Sequence, residues 1–283
     1  MAAETPTYIT KKSRSSFYYS FNLLPKEKRD AIYTVYAFCK KTDDIVDEHP
    51  GTHDEKKIRL SAWQQELEQS LNGGSTNTLL NTLSSTVHAF EIPADHFSEL
   101  IRGVEMDLVK NRYETFDELY TYCYRVASTV GLMCAEIFGY TKEHTRQYAI
   151  DLGIALQLTN IMRDIKTDLK LNRIYIPRED MKRFRYTEDD LRNHVYDERF
   201  VGLMRHQAER ARSYYIAANE HLAREDKKHF FAARIMEKIY YSILEKIERN
   251  NFNIFQEKLR VSRLRQLAIA LNIWLSHRVL PVR

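Results

Sequence analysis

The sequence predicts an all-α protein folded as a single domain. Apolar residues recur at helical spacing along most of the chain, and no stretch alternates apolar and polar residues as a strand does. Glycine and proline are scarce, at 8 and 6 in 283 residues, which argues against a protein of strands and turns. With 43% hydrophobic side chains the chain can fill one large core, and its 18 Tyr and 13 Phe suit the lining of a large apolar cavity.

In chain order, residues 1–15 read as an N-terminal segment and 16–283 as the domain. Pro25 followed by Lys26, Glu27 and Lys28 reads as a first helical turn, after which Ile32, Val35, Tyr36 and Cys39 form an apolar stripe. Residues 73–77 are a loop, and Ile92-Pro93 followed by Ala94-Asp95 opens another helix. Residues 96–109, 117–138 and 143–169 fit helices. The stretch 172–177 breaks the pattern and is expected to form a loop ordered beside the acids that precede it. Helices starting at Pro177 and covering 198–223 and 228–249 follow. The one glycine-rich loop is too short to separate two cores.

The net charge of +4 is mild, and no Lys/Arg block suggests nucleic acid. Cys39, Cys123 and Cys134 show no paired spacing and are expected as buried free thiols in a reducing compartment. The start of the chain lacks the apolar core of a signal peptide, and no apolar run approaches the ~20 residues of a membrane span. The expectation is a cytoplasmic monomer.

Two acidic clusters point to chemistry: Asp43-Asp44-Ile45-Val46-Asp47, and Asn160-Ile161-Met162-Arg163-Asp164 continuing to Asp168. Stepping by four from Val35 gives Cys39, Asp43 and Asp47, so the first carboxylates extend a core face. On the second helix Ile154, Leu158, Ile161, Ile165 and Leu169 form the apolar stripe. Gln157, Asn160, Asp164 and Asp168 form a polar stripe beside it, with Arg163, Lys166 and Lys170 nearer the solvent pole. Facing carboxylates repel unless a cation lies between them. The acids are on helices and lack the calcium-loop pattern, whereas magnesium takes oxygen ligands and bridges carboxylates to phosphate oxygens. The expected site is a cluster of two or three Mg²⁺ ions between these helices, gripping a diphosphate. Solvated surface acids are the competing reading, weakened by the second cluster.

These residues carry a family signature. The stretch from Leu156 to Pro177, LQLTNIMRDIKTDLKLNRIYIP, closely resembles the second aspartate motif of squalene and phytoene synthases. Tyr36-Ala37-Phe38-Cys39 with the following DDIVDE resembles their first motif, and Tyr122 to Gly131, YCYRVASTVG, their central one. The similarity runs from about Ser16 to about Leu267. It implies the all-α isoprenoid-synthase (class I terpenoid synthase) fold with a central cavity, and head-to-head (1′–2–3) condensation of two prenyl diphosphates. By resemblance Asp43, Asp47, Asp164 and Asp168 are the magnesium-binding acids, with Asn160 a further ligand. Lys40, Gln157, Asn160, Arg163, Arg173 and Tyr240 match substrate-binding positions, and Tyr122 matches the central-motif tyrosine.

Three departures from the family pattern stand out. Lys40 replaces an arginine and loses its two-pronged phosphate grip. Ser13-Arg14-Ser15-Ser16-Phe17 replaces a His-Ser-Lys-Ser-Phe stretch, and with the tyrosines that follow it resembles the presqualene diphosphate synthases of the hopanoid pathway. Gln256-Glu257-Lys258 stands where relatives have consecutive basic residues, which moves that contact to Lys258 or Arg260 or removes it. The favoured expectation is two farnesyl diphosphates joined to presqualene diphosphate, without NADPH. Phytoene synthase, joining two geranylgeranyl diphosphates, is second, followed by dehydrosqualene or squalene synthase.

Head-to-tail prenyl synthases follow their first motif with paired arginines, where this chain has Glu48-His49-Pro50-Gly51. Terpene cyclases carry a different second motif. A non-catalytic assembly protein of the same family is expected to lose metal-binding acids, and all four are here. Ala127, Ser128 and Gly131 are small, for a passing prenyl tail or for tight helix packing. Either Tyr122 or released pyrophosphate takes the proton lost in the reaction. The tail from Leu264 to Leu275 is apolar with basic flanks. It reads either as a last core helix or as peripheral contact with the inner membrane leaflet.

Overall fold

The computed structural model of the protein describes residues 5–12, 20–256 and 259–279. Among these, the elements are α1 (Pro6–Lys12), α2 (Lys26–Asp47), α3 (His53–Leu71), α4 (Thr78–Ala89), α5 (Asp95–Val109) and α6 (Phe116–Cys123). A π-helical turn (Tyr124–Ser128) leads into α7 (Thr129–Phe138) and α8 (Thr145–Lys170). Two short helices, α9 (Arg178–Arg183) and α10 (Glu188–Arg192), precede α11 (Glu198–His221), α12 (Phe231–Arg249) and α13 (Arg263–Val279). The all-α expectation holds; the described residues contain one isolated bridge, Arg112 to Ile174, and no strand ladder.

α2 starts after Pro25, whose fixed φ suits the entry to a helix. It buries Ile32, Val35, Phe38, Thr42 and Val46, and Pro50 prevents it from continuing far beyond Asp47. α3 begins at a capping box in which Thr52 and Glu55 satisfy each other's backbone N–H groups. α1 lies along α2 with Ile9 and Thr10 buried, so this part of the N-terminal segment packs with the rest of the chain. The residues of the Ser13–Phe17 stretch, together with Glu257 and Lys258, fall outside the described residues.

The centre of the molecule is α8. It packs against α11, α7, α12 and the π-turn, and its residues from Leu152 to Ala155 are all buried. Where the sequence predicts one helix over 117–138, the chain instead passes from α6 through the π-turn into α7. Such turns insert a residue and rotate the faces on either side. The close approach of α8 here depends on two glycines. A Cβ on Gly153 would lie 2.6 Å from Ser128 Cα, and one on Gly131 would lie 2.6 Å from the Ala149 carbonyl oxygen. Ser128 Oγ seals the contact by donating to the Ile150 carbonyl at 2.8 Å. The small residues of the central motif therefore serve helix packing, and Ala127 and Gly131 also border the cavity.

Candidate active site

A cavity of about 250 Å³ runs between α2, the π-turn with α7, α8 and α12. Its upper wall carries Asp43, Gln157, Asn160 and Tyr240; below them come Cys39, Val35, Leu156, Gly153 and Met236. The floor is aromatic. Phe230 packs edge-on against Phe138 with ring centres 5.4 Å apart and against Tyr148 at 5.6 Å, and Phe21 joins them. Tyr148 is fixed from behind, donating to Glu237 Oε2 at 3.2 Å.

Asp43 is an exposed residue of the cavity wall, crowded by enough protein atoms to be poorly solvated. Burial, reinforced by the nearby Asp47 charge, pushes its carboxyl up to about 7. Asp44, Asp47 and Asp164 are paired with cations. Lys40 binds Asp44 and, at 3.0 Å, Glu48, along one face of α2. Burial works against the Lys40 charge, but these bonds outweigh it and hold the ammonium above its ordinary pKa. Arg173 Nη1 donates to Asp47 Oδ1 at 2.9 Å. Arg163 forks onto Asp164, its Nε at 3.1 Å from Oδ1, and also engages Tyr240. Asp168 is half-buried near the end of α8, and its carbonyl accepts the Arg173 N–H at 2.9 Å, which ties the 172–177 segment beside the acidic helix as expected.

Two placements differ from the sequence-based expectation. Arg163 is only 17% exposed, because its guanidinium folds back onto Asp164 and Tyr240 instead of reaching the solvent pole. Among the described residues no three Asp, Glu, His or Cys side chains converge into a ready metal-ligating cluster. The acidic helices instead border one cavity, with Asp44, Asp47 and Asp164 neutralised locally by Lys40, Arg173 and Arg163.

Tyr122 is not in the cavity wall. Its hydroxyl sits in a buried polar cluster, donating to Asp107 Oδ2 at 3.1 Å and to the Tyr175 hydroxyl at 3.2 Å. Tyr175 donates to Asp107 Oδ1 at 2.7 Å, and Arg173 Nη1 lies 3.9 Å from Asp107 Oδ2. The Tyr122 and Tyr175 rings stack with centres 5.0 Å apart, and Tyr113 packs against both. Burial raises the Asp107 carboxyl while Arg173 and the two tyrosines oppose that rise. Sequence reasoning missed Asp107 because no acid stands three or four residues from it to mark a carboxylate pair on one helix face. A polar recess of about 420 Å³ adjoins this cluster, lined by Asp47, Lys56, Asp107, Lys110 and Arg173.

Residues 10–265 match the family model described as squalene/phytoene synthase. The chain belongs to the squalene/phytoene synthase family. Among curated relatives, 15-cis-phytoene synthase of Synechococcus elongatus is 37% identical over 94% of this chain and 90% of its own. Phytoene synthase of Arthrospira platensis is 38% identical over 89% and 86%. Among solved structures, a dehydrosqualene synthase in complex with ligand superposes with a TM-score of 0.86 at 29% identity, covering 98% of this chain and 96% of that one. Squalene synthase HpnC from Alicyclobacillus acidocaldarius gives 0.81 at 28% identity over 88% and 94%. This squalene/phytoene synthase is thus a prenyltransferase on an all-α isoprenoid-synthase fold, and its reaction class is head-to-head prenyl condensation.

Asn160 tests whether the site suits a divalent cation. Its Oδ1 is buried without a hydrogen-bond partner, beside Asp43 and Gln157 in the cavity wall. A buried amide oxygen lacking a donor costs about 1–3 kcal/mol. It is also a hard ligand of the kind magnesium takes, and the neighbouring carboxylates are of the same kind. The donor set fits.

Proposed function

We propose that this enzyme joins two farnesyl diphosphates with loss of pyrophosphate and a proton, giving presqualene diphosphate. The likeness in fold to a dehydrosqualene synthase and to squalene synthase HpnC is the observation that carries the choice of substrate, and the cavity is long enough for it. Asp43 and Ile32 both line the cavity, eleven residues apart on α2, which is about 16 Å at helical rise. Asn160 and Tyr148 are twelve apart on α8, about 18 Å. An extended carbon chain advances about 1.2 Å per bond, so the farnesyl main chain spans about 13 Å and the geranylgeranyl one about 18 Å. A farnesyl tail fits within this depth, and a geranylgeranyl tail fills it to the aromatic floor. The 37% and 38% identities to phytoene synthases favour geranylgeranyl diphosphate as the second reading.

Asp43, Asp47, Asn160, Asp164 and Asp168 would hold Mg²⁺, whose charge compensates that of the departing pyrophosphate. Arg163, Arg173 and Lys40, paired with acids in the structure, then turn toward phosphate oxygens. The electron pair of the donor's allylic C–O bond leaves with pyrophosphate. The acceptor's C2–C3 π electrons attack the donor's C1 and leave the cation at the acceptor's C3; loss of a proton from the donor's C1 then frees the electron pair that bonds C1 to that C3 and closes the cyclopropane. The cavity wall excludes the water that would quench the cation. Asp107 orients Tyr122 and Tyr175 next to Arg173, within reach of the pyrophosphate end of the site. No reductant enters this balance.

The test is incubation of purified enzyme with each diphosphate and Mg²⁺, without and with NADPH, followed by dephosphorylation and chromatography. Presqualene alcohol from farnesyl diphosphate is the expected product. Phytoene from geranylgeranyl diphosphate, with no turnover of farnesyl diphosphate, would refute the farnesyl assignment.

A further inference from the structure

The last helix has two faces of unlike character. α13 packs against α12 through Gln266, Ile269, Ala270, Ile273 and Trp274, which are buried or half-buried. The opposite side carries Leu264, Leu267, Leu271 and Leu275, exposed by 81%, 49%, 55% and 44%. Their spacing of three, four and four residues places them in one stripe along the helix. At 100° per residue, Arg263 and Arg265 fall on either side of that stripe, and both are exposed. From residue 258 to the end the sequence holds no Asp or Glu, but Lys258 and five arginines: Arg260, Arg263, Arg265, Arg278 and Arg283.

We infer that the leucine face of α13 docks this protein on an anionic lipid bilayer. The helix buries its own core face, so the leucine stripe is surplus to folding. Leucines flanked by arginines fit the boundary between acyl chains and headgroups, where the guanidinium groups meet lipid phosphates. The absence of acids matches a negatively charged surface. A second copy of the chain fits less well. One stripe of partly exposed leucines offers on the order of a few hundred Å², against roughly 800 Å² per partner in a stable interface. Among the described residues no helix is long and apolar enough to cross a membrane, so the contact is one of lying on the surface. The inference rests on α13 alone and does not depend on which prenyl diphosphate is the substrate.

Sedimentation of the full chain with sucrose-loaded vesicles tests it. The wild type is expected to pellet with vesicles containing phosphatidylglycerol, less with phosphatidylcholine alone, and less as salt rises. Each leucine withdrawn should lower partitioning by about tenfold, so L267S/L271S should lose about a hundredfold. R263Q/R265Q should lose binding to the anionic vesicles selectively and much of the salt dependence. Circular dichroism and turnover of detergent-dispersed substrate should be unchanged in both. Should the double leucine variant misfold, L264S, altering the most exposed leucine, takes its place. Wild-type binding retained by the leucine variants would overturn the inference, as would no binding by the wild type. A dimer in solution that L267S/L271S splits, with no vesicle binding, would assign the face to a second copy instead.

Discussion

Replacing Gly153 by alanine tests how the cavity wall is built. A Cβ at this position would lie 2.6 Å from Ser128 Cα, 2.7 Å from Ser128 N and 2.9 Å from the Ala127 carbonyl carbon. All three are backbone atoms of the π-turn, so no side chain can swing aside. Restoring a contact of about 3.5 Å requires α8 and the turn to part by about 1 Å. Overpacking of this kind costs about 1–3 kcal/mol. Alanine returns up to about 1 kcal/mol through its better helix propensity. The expected net loss of about 1–2 kcal/mol corresponds to a melting temperature lower by about 2–6 °C. Because Gly153 also lines the cavity, the same displacement should lower kcat by about tenfold to a hundredfold. Calorimetry and steady-state kinetics measure the two effects. Gly74→Ala is the control: its Cβ would rest 3.5 Å from the Gln69 carbonyl oxygen, an ordinary contact, and melting should be nearly unchanged. A Gly153→Ala protein melting at or above the wild type would refute the tight π-turn contact.

Further outcomes are expected elsewhere. Asp43→Asn should abolish turnover while leaving the circular dichroism spectrum intact, and EDTA should stop the wild-type enzyme until Mg²⁺ is restored; near-normal rates in either case contradict the metal assignment. Asp107→Asn weakens hydrogen bonds from Tyr122 and Tyr175 to a charged group, each worth about 1.5–3 kcal/mol. Its kcat should fall by about tenfold or more with little loss of stability, and an unchanged kcat would leave Asp107 outside the reaction. Asp180, 6% exposed, accepts from Arg210 at 2.6 Å and from Gln207 at 2.9 Å. Burial raises its carboxyl, but these bonds outweigh that and hold it below the usual carboxylate range. The stability it contributes is therefore full above its unfolded pKa of about 3.9 and lost as pH falls through the lower folded value. Arg210→Met should cost about 3–5 kcal/mol at neutral pH in urea titration. Asp180→Asn should flatten the acid limb of the stability profile, and an unaltered limb would rule the pair out as its source.

The helices were legible because their signals are local. Pro25 before α2 and the spacing of Ile32, Val35 and Cys39 act within a few residues, whatever the rest of the chain does. The same holds for the acidic stripes, since i, i+4 spacing puts Asp43 and Asp47 on one face in any helix. The π-turn at Tyr124–Ser128 was not legible, because its composition suits an α-helix equally well. Asp107 escaped for a related reason: its partners Tyr122, Tyr175 and Arg173 lie 15, 68 and 66 residues away, joined only when α5, α6 and the 172–177 segment meet.

By itself the sequence determined the helical class, the acids and their order, and the resemblance that names the reaction class. Which cation each acid holds was decided only by tertiary structure, since Arg173 reaches Asp47 across 126 residues. The depth of the cavity was likewise decided there, by Phe138, Tyr148 and Phe230 closing its floor from three separate elements. The two faces of α13 needed the fold as well. A run of leucines becomes core or surface according to what packs against it, and α12 covers only one side.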